Sequence, residues 1–558
     1  MAVSSTGSAS TLDVASIVSQ LMTVEQRPVF ALDKKEAQYQ AKISAYGGIK
    51  AALSQFQTAV QGLNVPAKFS ANTATPSDTT VLTATASTSA AVGVHSVEVT
   101  KLAQAQKLVA PGQATTIAAI GVGTLTFDFG TIADAVPATF NAVTGQYGAG
   151  TTFTSGNAAK TVVIDSSHDT LEGIRSAINS AAIGVTASIV NDGGASPQRL
   201  VLTSNVSGKA SSMKISVVGD AALSTLLDND PAGTQHLSEV ATAQNAELKV
   251  DGVAVSKTSN TVSDVLDGVS LTLNKAGTSS LNVARDTATI KTSVQGFVTA
   301  YNSLQKTLAT VSAYDPKTKT AGLLQGESSV RNILSQINAA MTSPISGLTG
   351  TNAALTQIGI SFQKDGSLAL DANRLQSVIN NNFSDIARLF TAMGTASDSQ
   401  IQYLASSSVT QPGTYFVNIT SLATGAVNAA GSIGGLPADS TGQTLTGQPG
   451  SGASGLQIQV NGGAVGDRGT VTFTRGYADR LDKMIGNLLS TSGVVATQTA
   501  GLNQSVKDIG SRRDALNQRL SDTQVRYTKQ FSALNALLGT MQQTSDFLTQ
   551  QLANIPKA

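Results

Sequence analysis

Residues 32–63, LDKKEAQYQAKISAYGGIKAALSQFQTAVQGL, carry apolar side chains at a regular helical spacing. One set recurs every seven residues, and a second set follows at an offset of three. The members are Leu32, Tyr39, Tyr46, Leu53 and Val60, and then Ile49, Phe56 and Leu63. This repeat predicts a long helix with a coiled-coil seam. Pro28 is expected to separate it from a shorter amphipathic helix, which Thr11 or Asp13 would cap.

The end of the chain has a matching pattern. KQFSALNALLGTMQQTSDFLTQQL, residues 529–552, holds an apolar stripe with only two charges, Lys529 and Asp546. The wider tail repeats apolar residues at two heptad positions, one with Leu502, Ile509, Leu516 and Leu537, the other with Val506, Leu520, Tyr527, Leu534, Met541, Leu548 and Ile555. Arg513 is one of several polar interruptions of this repeat. Because neither stripe is stable alone in water, we expect the first helix to pair with the last, and residues 529–552 to pack on the 32–63 seam.

The middle of the chain has a different pattern. From about residue 72 to 284, short Thr- and Val-rich runs lie between Gly and Asn turns, which predicts strands. One clear helix, TLEGIRSAINSA at 170–181, interrupts them. Helical patterns resume near 286, and a second strand-like excursion lies at 409–474.

These patterns predict an α+β multidomain protein in which terminal coiled-coil helices and a helical-bundle domain carry inserted, mainly β head domains. Five domains are expected, and they are assigned as follows. Residues 1–40 with 505–558 form a coiled-coil leg, residues 41–75 with 285–408 and 475–504 the helical domain, residues 76–110 with 240–284 a β-rich head domain, residues 111–239 a second head domain with one helix, and residues 409–474 a small β insertion.

Composition excludes several function classes. The 558-residue chain has a net charge of +1 and 13% charged residues, so neither a nucleic-acid partner nor a polybasic membrane patch is indicated. It contains no cysteine, which excludes disulfides, thiolate nucleophiles and cysteine-containing zinc sites. No apolar run is long enough for a membrane span, and the N-terminus does not resemble a secretory signal peptide.

A search for catalytic or metal-binding motifs gives weak candidates. DNDPAGTQHLSE, residues 228–239, places Asp228, Asp230, Gly233 and Glu239 at EF-hand positions, but Ala232 replaces a ligand, so an acidic turn is favoured over calcium. Asp264 and Asp267 are the residue types of a glycosidase pair, and a turn explains them better. The three histidines, His95, His168 and His236, lie outside any catalytic motif, and the Gly-rich segment 424–455 lacks the lysine of a phosphate cradle. We therefore expect no enzyme and no cofactor.

The order of these pieces resembles the bacterial flagellar filament cap family, hook-associated protein 2 (FliD). Five stretches carry the resemblance in sequence order: IVSQLMTVEQRPVFALDKKEAQYQAKISAYGGIKAALSQFQTAVQGL (17–63), VTKLAQAQKL (99–108), NTVSDVLDGVSLTL (260–273), FVTAYNSLQKTLATVSAYDPKTKTAGLLQGESSVRNIL (297–334) and QFSALNALLGTMQQTSDFLTQQL (530–552). TLEGIRSAINSAAIGVTASIVNDGG, residues 170–194, is similar to the flagellin-type "IN" repeat.

The resemblance implies a structural protein that forms a ring at the distal tip of the filament, where exported flagellin is folded, polymerised and kept from being lost. A pentamer is expected, with a tetramer or hexamer as alternatives. The implied partners are flagellin, the hook-filament junction proteins and a flagellar export chaperone. The implied location is extracellular, reached through the flagellar type III system without a cleaved signal peptide.

Self-assembly and filament contact are assigned to the two apolar seams. The residues are Leu53, Phe56, Val60, Leu516, Leu520, Tyr527, Leu534, Leu537, Met541 and Leu548. The alternative function is a surface adhesin that binds mucin or host receptors through the β head domains.

Overall fold

A computed structural model describes residues 13–136, 138–156, 158–316, 319–348 and 353–553, apart from the side chain of Ser384. The helices, in chain order, are α1 Val14–Glu25, α2 Arg27–Leu63, α3 Leu171–Ser180, α4 Ala221–Leu227, α5 Thr287–Ser312, α6 Ser328–Thr342, α7 Ala372–Asn381, α8 Phe383–Phe390, α9 Tyr477–Leu489 and α10 Val494–Ala553. Short 3₁₀ helices lie at Pro66–Phe69, Lys209–Ser211 and Leu355–Ile358.

The strands of the first half are β1 Asn72–Pro76, β2 Leu82–Ala86, β3 Gly93–Lys101, β4 Lys107–Val109, β5 Gly123–Ala133, β6 Thr152–Ser155, β7 Lys160–Ile164, β8 Val185–Asn191, β9 Gln198–Ser204, β10 Ser212–Gly219, β11 Ser238–Ala241, β12 Ala246–Val250, β13 Val253–Lys257, β14 Thr261–Leu266, β15 Val269–Leu273 and β16 Gly277–Arg285. Those of the second half are β17 Tyr314–Asp315, β18 Thr320–Ala321, β19 Ile360–Phe362, β20 Leu368–Leu370, β21 Ala392–Ala396, β22 Ile401–Ala405, β23 Gly413–Ser421, β24 Ala430–Ile433, β25 Leu436–Thr441, β26 Thr444–Gly447, β27 Gln457–Val460 and β28 Gly466–Arg475. The fold is mixed α+β with terminal helices, as the sequence predicts.

The chain divides into two compact units, residues 1–69 with 287–558, and residues 70–286. In the second unit, the sheets β1-β16-β3-β12-β13 and β14-β15-β2 share one apolar core. A separate core lies under the sheets β10-β5-β6 and β11-β4-β9-β8, with β7 paired to β5. Every pairing in these sheets is antiparallel, and in β8 the buried Val185 and Ala187 alternate with the exposed Thr186 and Ser188.

Two helices, α3 and α4, contribute buried residues to this second core. The Thr170 side chain accepts a hydrogen bond from the Gly173 backbone N–H and caps α3. The sequence-based assignment of one helix to residues 111–239 was wrong, because α4 is also present there. Its seven residues make two turns, which is too short for a 3.6-residue repeat to be recognised.

The first unit is built on a helical core. The buried face of α2 packs against α5 and α9, and α6, α7 and α8 complete the core with the start of α10. Phe56 of α2 lies 5.6 Å from Phe297 and 5.8 Å from Tyr301, measured between ring centroids. These helices hold together because each contributes one apolar face and exposes the other.

The β insertion of the first unit is larger than the sequence predicts. Its sheet runs β21-β28-β23-β24-β25-β26-β27-β22, so the strands at 392–396 and 401–405 belong to it. Both ranges lie in the segment 285–408 that was expected to be helical, and that expectation was wrong for them. They are strands because of long-range pairing, Ala392 with Arg475 and Ile401 with Val460, which a local pattern does not reveal.

Arg475 joins the insertion to the helical core. It lies at the end of β28, and its guanidinium donates hydrogen bonds to the carbonyl oxygens of Ser407, Ser408 and Thr410. Its Nη1 also lies 2.7 Å from Oδ2 of Asp479 in α9, and both side chains are about nine-tenths buried. Because these bonds hold Arg475 to the loop at 407–410 and to α9, they fix the direction in which the chain passes from β28 into α9.

Candidate assembly surface

The terminal helices form an antiparallel pair. The N-terminal helices α1 and α2 pack along α10, and residues from their opposite ends meet. Ile43 and Tyr46 lie near Val495 and Thr499, whereas Met22 lies near Leu520 and Ser521. The expected pairing of the first helix with the last is therefore confirmed. Asp13 caps α1 by accepting a hydrogen bond from Ser16, and α2 starts at Arg27 with Pro28 in its first turn, as the sequence predicts. Thr11 and Ile555 lie outside the described residues.

Polar contacts fix the register of this pair. Nη1 of Arg513 lies 2.8 Å from Oε2 of Glu36 and 3.5 Å from Oδ1 of Asp33. Further along, the Tyr527 hydroxyl donates a hydrogen bond of 3.1 Å to Oε1 of Glu25. Arg513 was interpreted from the sequence as an interruption of the seam, but it contributes an ion pair across it. The carboxylates at 33 and 36 were the signal that could have revealed this pairing.

Where the pair reaches the helical core, its polar groups become buried. The Tyr46 hydroxyl lies 2.7 Å from the Ser329 hydroxyl in α6, and burial raises the pKa of Tyr46. Nearby, Lys42 donates to Glu327 at 2.7 Å. These contacts tie the base of the helix pair to the helical core.

Three of the assigned contact residues lie inside that core. Leu53, Phe56 and Val60 have no exposed surface, because α5 and α9 cover this face of α2. Their assignment to filament contact was wrong, since a fully buried side chain cannot meet another molecule without unfolding of the domain. They stabilise the helical core instead.

A shallow groove opens on one side of the helix pair. Met22, Val29, Phe30, Leu520 and Gln524 are among the residues that line it, with Gln26, Asn517 and Ser521. Phe30 remains 58% exposed in this groove, although aromatic side chains are usually covered. Phe30 was not among the assigned residues, because it lies outside the heptad positions of α2. Leu516, Leu520 and Tyr527 are half-buried along the same pair.

The distal part of α10 is mostly exposed. From residue 532 onward, the described side chains are exposed except Asn535. The assigned residues are 42% exposed at Leu534, 57% at Leu537, 61% at Met541 and 55% at Leu548. Leu538, Phe547 and Leu552 lie on the same exposed length of helix. The expectation that this stripe packs on the 32–63 seam was wrong, since that seam is covered by α5, α9 and the first half of α10.

The residues of the calcium-site candidate at 228–239 do not form a common site in the structure. Asp230 pairs with Lys214 at 2.6 Å, whereas Glu239 lies in β11, where Gln106 and Tyr147 donate hydrogen bonds to it. The loop at 228–239 leads into a strand, so it lacks the helix that follows an EF-hand loop. The burial of Glu239 raises the pKa of its carboxyl. Within the described ranges, no cluster of three or more His, Cys, Asp or Glu residues could hold a metal ion.

The remaining candidates also have structural roles. Asp264 pairs with Lys257 at 2.6 Å, and His95 and His168 lie beside Asp251 and Asp165. The Gly-rich segment 424–455 contributes β24, β25 and β26 to the insertion. In the part of the chain that the structure describes, no helix is long and apolar enough to cross a membrane.

Comparisons with known proteins cover nearly the whole chain. Residues 243–543 match the family described as flagellar hook-associated protein 2 C-terminus, and residues 10–106 match the corresponding N-terminus family. Residues 139–206 match the flagellin hook IN motif.

Individual relatives agree with these matches. A flagellar hook-associated protein 2 from Escherichia coli (strain K12) is 29% identical over 566 residues, which span 99% of this chain and 98% of that protein. A B-type flagellar hook-associated protein 2 from Pseudomonas aeruginosa is 34% identical over 402 residues, 68% of this chain and 76% of the relative. The crystal structure of the D1-D2-D3 domains of the flagellar cap protein FliD from Escherichia coli covers 82% of this chain and 99% of its own, at a TM-score of 0.53 and 27% identity. The chain therefore belongs to the flagellar hook-associated protein 2 family.

Proposed function

We propose that this protein caps the distal tip of the bacterial flagellar filament. In this role it forms a ring beneath which exported flagellin folds and polymerises, and from which unpolymerised flagellin does not escape. Family membership supports the location, and the related Escherichia coli structure is described as a flagellar cap protein. The protein acts as an assembly factor and not as an enzyme.

The observation that carries the proposal is the exposed apolar stripe of α10. Leu534, Leu538, Met541, Leu548 and Leu552 follow helical spacing, and they are 38–68% exposed. A patch of this kind marks an interaction site in a soluble protein. Between residues 530 and 553 the sole ionised side chain is Asp546, so the stripe can meet similar apolar helices without burying an unpaired charge.

Uncharged contacts suit a surface that must release and rebind. A coiled coil with a fixed partner usually carries charged residues beside its seam, and these residues select that partner. The distal part of α10 has Gln, Ser and Thr at such positions. We infer that its partners are the terminal helices of flagellin and of neighbouring subunits, with the junction proteins and the export chaperone as further partners during assembly.

Substitution of the stripe tests the proposal. Leu534, Leu537, Met541 and Leu548 would be changed together to Ser in a strain without another copy of the protein. We expect lost swimming motility and flagellin released into the medium. A matched control changes Gln542, Gln543, Thr549 and Gln550 to Ser, which leaves the stripe intact and should preserve motility. Normal motility and normal filament length in the stripe variant would contradict the proposal.

The subunit number needs a separate measurement. We propose a pentamer that is exported through the flagellar type III system, and a tetramer or hexamer would be consistent with the same ring. Native mass spectrometry of the full-length protein measures the number directly. A protein that remains monomeric at every concentration up to tens of micromolar would count against a ring.

A further inference from the structure

The helix pair of α1, α2 and α10 has two unlike sides. The groove described above lies on one side, between residues that directly follow seam residues, for example Asn517 after Leu516. The opposite side of an antiparallel pair is formed by residues that come directly before seam residues, on both helices. Lys35 precedes the half-buried Glu36, and Arg512, Arg519 and Arg526 precede Arg513, Leu520 and Tyr527. We call these four cations the basic flank.

The basic flank has an unusual charge pattern. Arg512, Arg519 and Arg526 are spaced by seven residues, and all are exposed, as is Lys35. In stable coiled coils, positions beside the seam pair positive with negative side chains across the two helices. Here both helices place cations on the same side, and like charges placed together destabilise a helix pair.

The carboxylates of the helix pair are engaged elsewhere. Glu25, Asp33 and Glu36 contact Tyr527 and Arg513 across the seam. Asp508 and Asp522, each four residues before an arginine of the flank, accept hydrogen bonds from Gln504 and Gln518. Over the described ranges, none of the four cations of the flank lies within ion-pair distance of a carboxylate.

The neighbouring aromatic rings keep two of these cations near the helix surface. Nζ of Lys35 lies 5.8 Å from the ring centroid of Tyr39, and Cζ of Arg526 lies 5.5 Å from that of Tyr527. Cation–π contacts of this kind restrain the side chains without neutralising them. The flank is thus a partly ordered row of positive charge beside the seam.

We infer that the basic flank binds an α-helix of another protein that presents carboxylates about every seven residues. Such a helix would lie along α10 and place carboxylates within ion-pair distance of the flank, where the carboxylates of the pair itself do not lie. The α10 helix of a second copy does not fit, because it carries only Asp508, Asp514, Asp522 and Asp546, and no three of them recur at a spacing of seven. The inference is independent of the capping proposal, which depends on the distal apolar stripe.

The test uses the full-length protein and two synthetic helical peptides of about four heptads. One peptide has a Glu at the same position of every heptad, and the other has the same composition with the Glu residues spread around the helix. Binding would be measured by fluorescence anisotropy at about 50 mM and about 300 mM NaCl, because exposed ion pairs weaken with salt. We expect about tenfold tighter binding of the first peptide at low salt.

Two triple variants separate the flank from general charge. The R512Q/R519Q/R526Q variant should lose about tenfold in affinity for the heptad peptide. The K306Q/R331Q/K364Q variant removes three exposed cations elsewhere in the same unit and should bind as the unsubstituted protein does. Equal binding of both peptides, or equal losses in both variants, would overturn the inference. A self-association that disappears only in the first variant would assign the flank to a second copy, and would also overturn it. If peptide binding fails while motility depends on the apolar stripe, the capping proposal still stands.

Discussion

Residues 46–63 of α2 and residues 530–553 of α10 both carry apolar side chains at helical spacing. In α2, Ile49, Leu53, Phe56 and Val60 are fully buried under α5 and α9. In α10, the equivalent side chains are about half exposed, as Phe547 is at 59%. The difference lies in what surrounds each helix. One stripe forms the core of a domain, whereas the other is largely exposed among the residues that the structure describes.

The helix pair between these two extremes is intermediate. Leu516, Leu520 and Tyr527 are half-buried where α1 and α2 pack along α10, and an ion pair at Arg513 supports them. We therefore expect the stability cost of a substitution to fall steadily from the core of the helical domain toward the end of α10. The following four substitutions test that gradient, from the largest expected effect to the smallest.

Phe56→Ala should have the largest effect. It removes a ring that is fully buried against Phe297 and Tyr301, so a cavity forms in the core. We expect a loss of about 3–5 kcal/mol in the free energy of unfolding of the helical domain. Guanidinium unfolding followed by circular dichroism, with hydrogen exchange of α2 peptides, would measure it. A loss below about 1 kcal/mol would contradict the description of this face as the domain core.

Leu520→Ala should have an intermediate effect. The side chain is half-buried between α10 and the α1–α2 junction, so the vacated space opens to water. We expect a local loss of about 1 kcal/mol, seen as faster hydrogen exchange in α1 and in the middle of α10. Exchange in α5 should stay unchanged, and a global effect as large as that of Phe56→Ala would refute the gradient.

Arg513→Gln should have a smaller and salt-dependent effect. It removes the ion pairs to Glu36 and Asp33, which are partly exposed. The expected loss is about 0.5 kcal/mol at low salt, and it should vanish in about 1 M NaCl. Arg519→Gln is the matched control, because Arg519 is exposed and no carboxylate of the described residues lies within ion-pair distance of it. Equal losses in the two variants would show that the ion pair contributes nothing.

Phe547→Ala should leave stability almost unchanged. The ring is 59% exposed, so the change in the free energy of unfolding should stay within about 0.5 kcal/mol. It is the counterpart of Phe56→Ala, since the same side chain is removed from the same type of helix. A loss above about 2 kcal/mol would mean that the end of α10 is already packed in the isolated protein.

The sequence predicts the long terminal helices well, because a heptad repeat is local information. Leu32, Tyr39 and Tyr46 reveal the long helix, and the matching tail reveals its pairing with α10. The repeat does not show which part of each stripe is covered by which neighbour. That is why residues 529–552 were paired with the 32–63 seam, which α5, α9 and the start of α10 occupy in the structure.

The β insertion shows a second limit. Strands β21 and β22 are defined by partners about 60–80 residues away, Arg475 and Val460, and they have little alternating pattern of their own. The exposed apolar side chains were also identified only in part, because the heptad spacing is local information. Spacing identified Leu534, Leu537, Met541 and Leu548, but Phe30 is exposed at a position that the repeat does not mark.

The pairing of β1 with β16 has a consequence for how such proteins can diversify. The chain enters the second unit at β1 and leaves it at β16, and these strands are antiparallel neighbours, with Asn72 opposite Arg285. Just outside them, the Asp286 backbone N–H donates a hydrogen bond of 2.9 Å to the carbonyl oxygen of Ala71. The first and last residues of this 217-residue unit therefore lie next to each other. A short turn could replace the whole unit, or a different head could be inserted between the same two residues, without moving either end of the remaining chain.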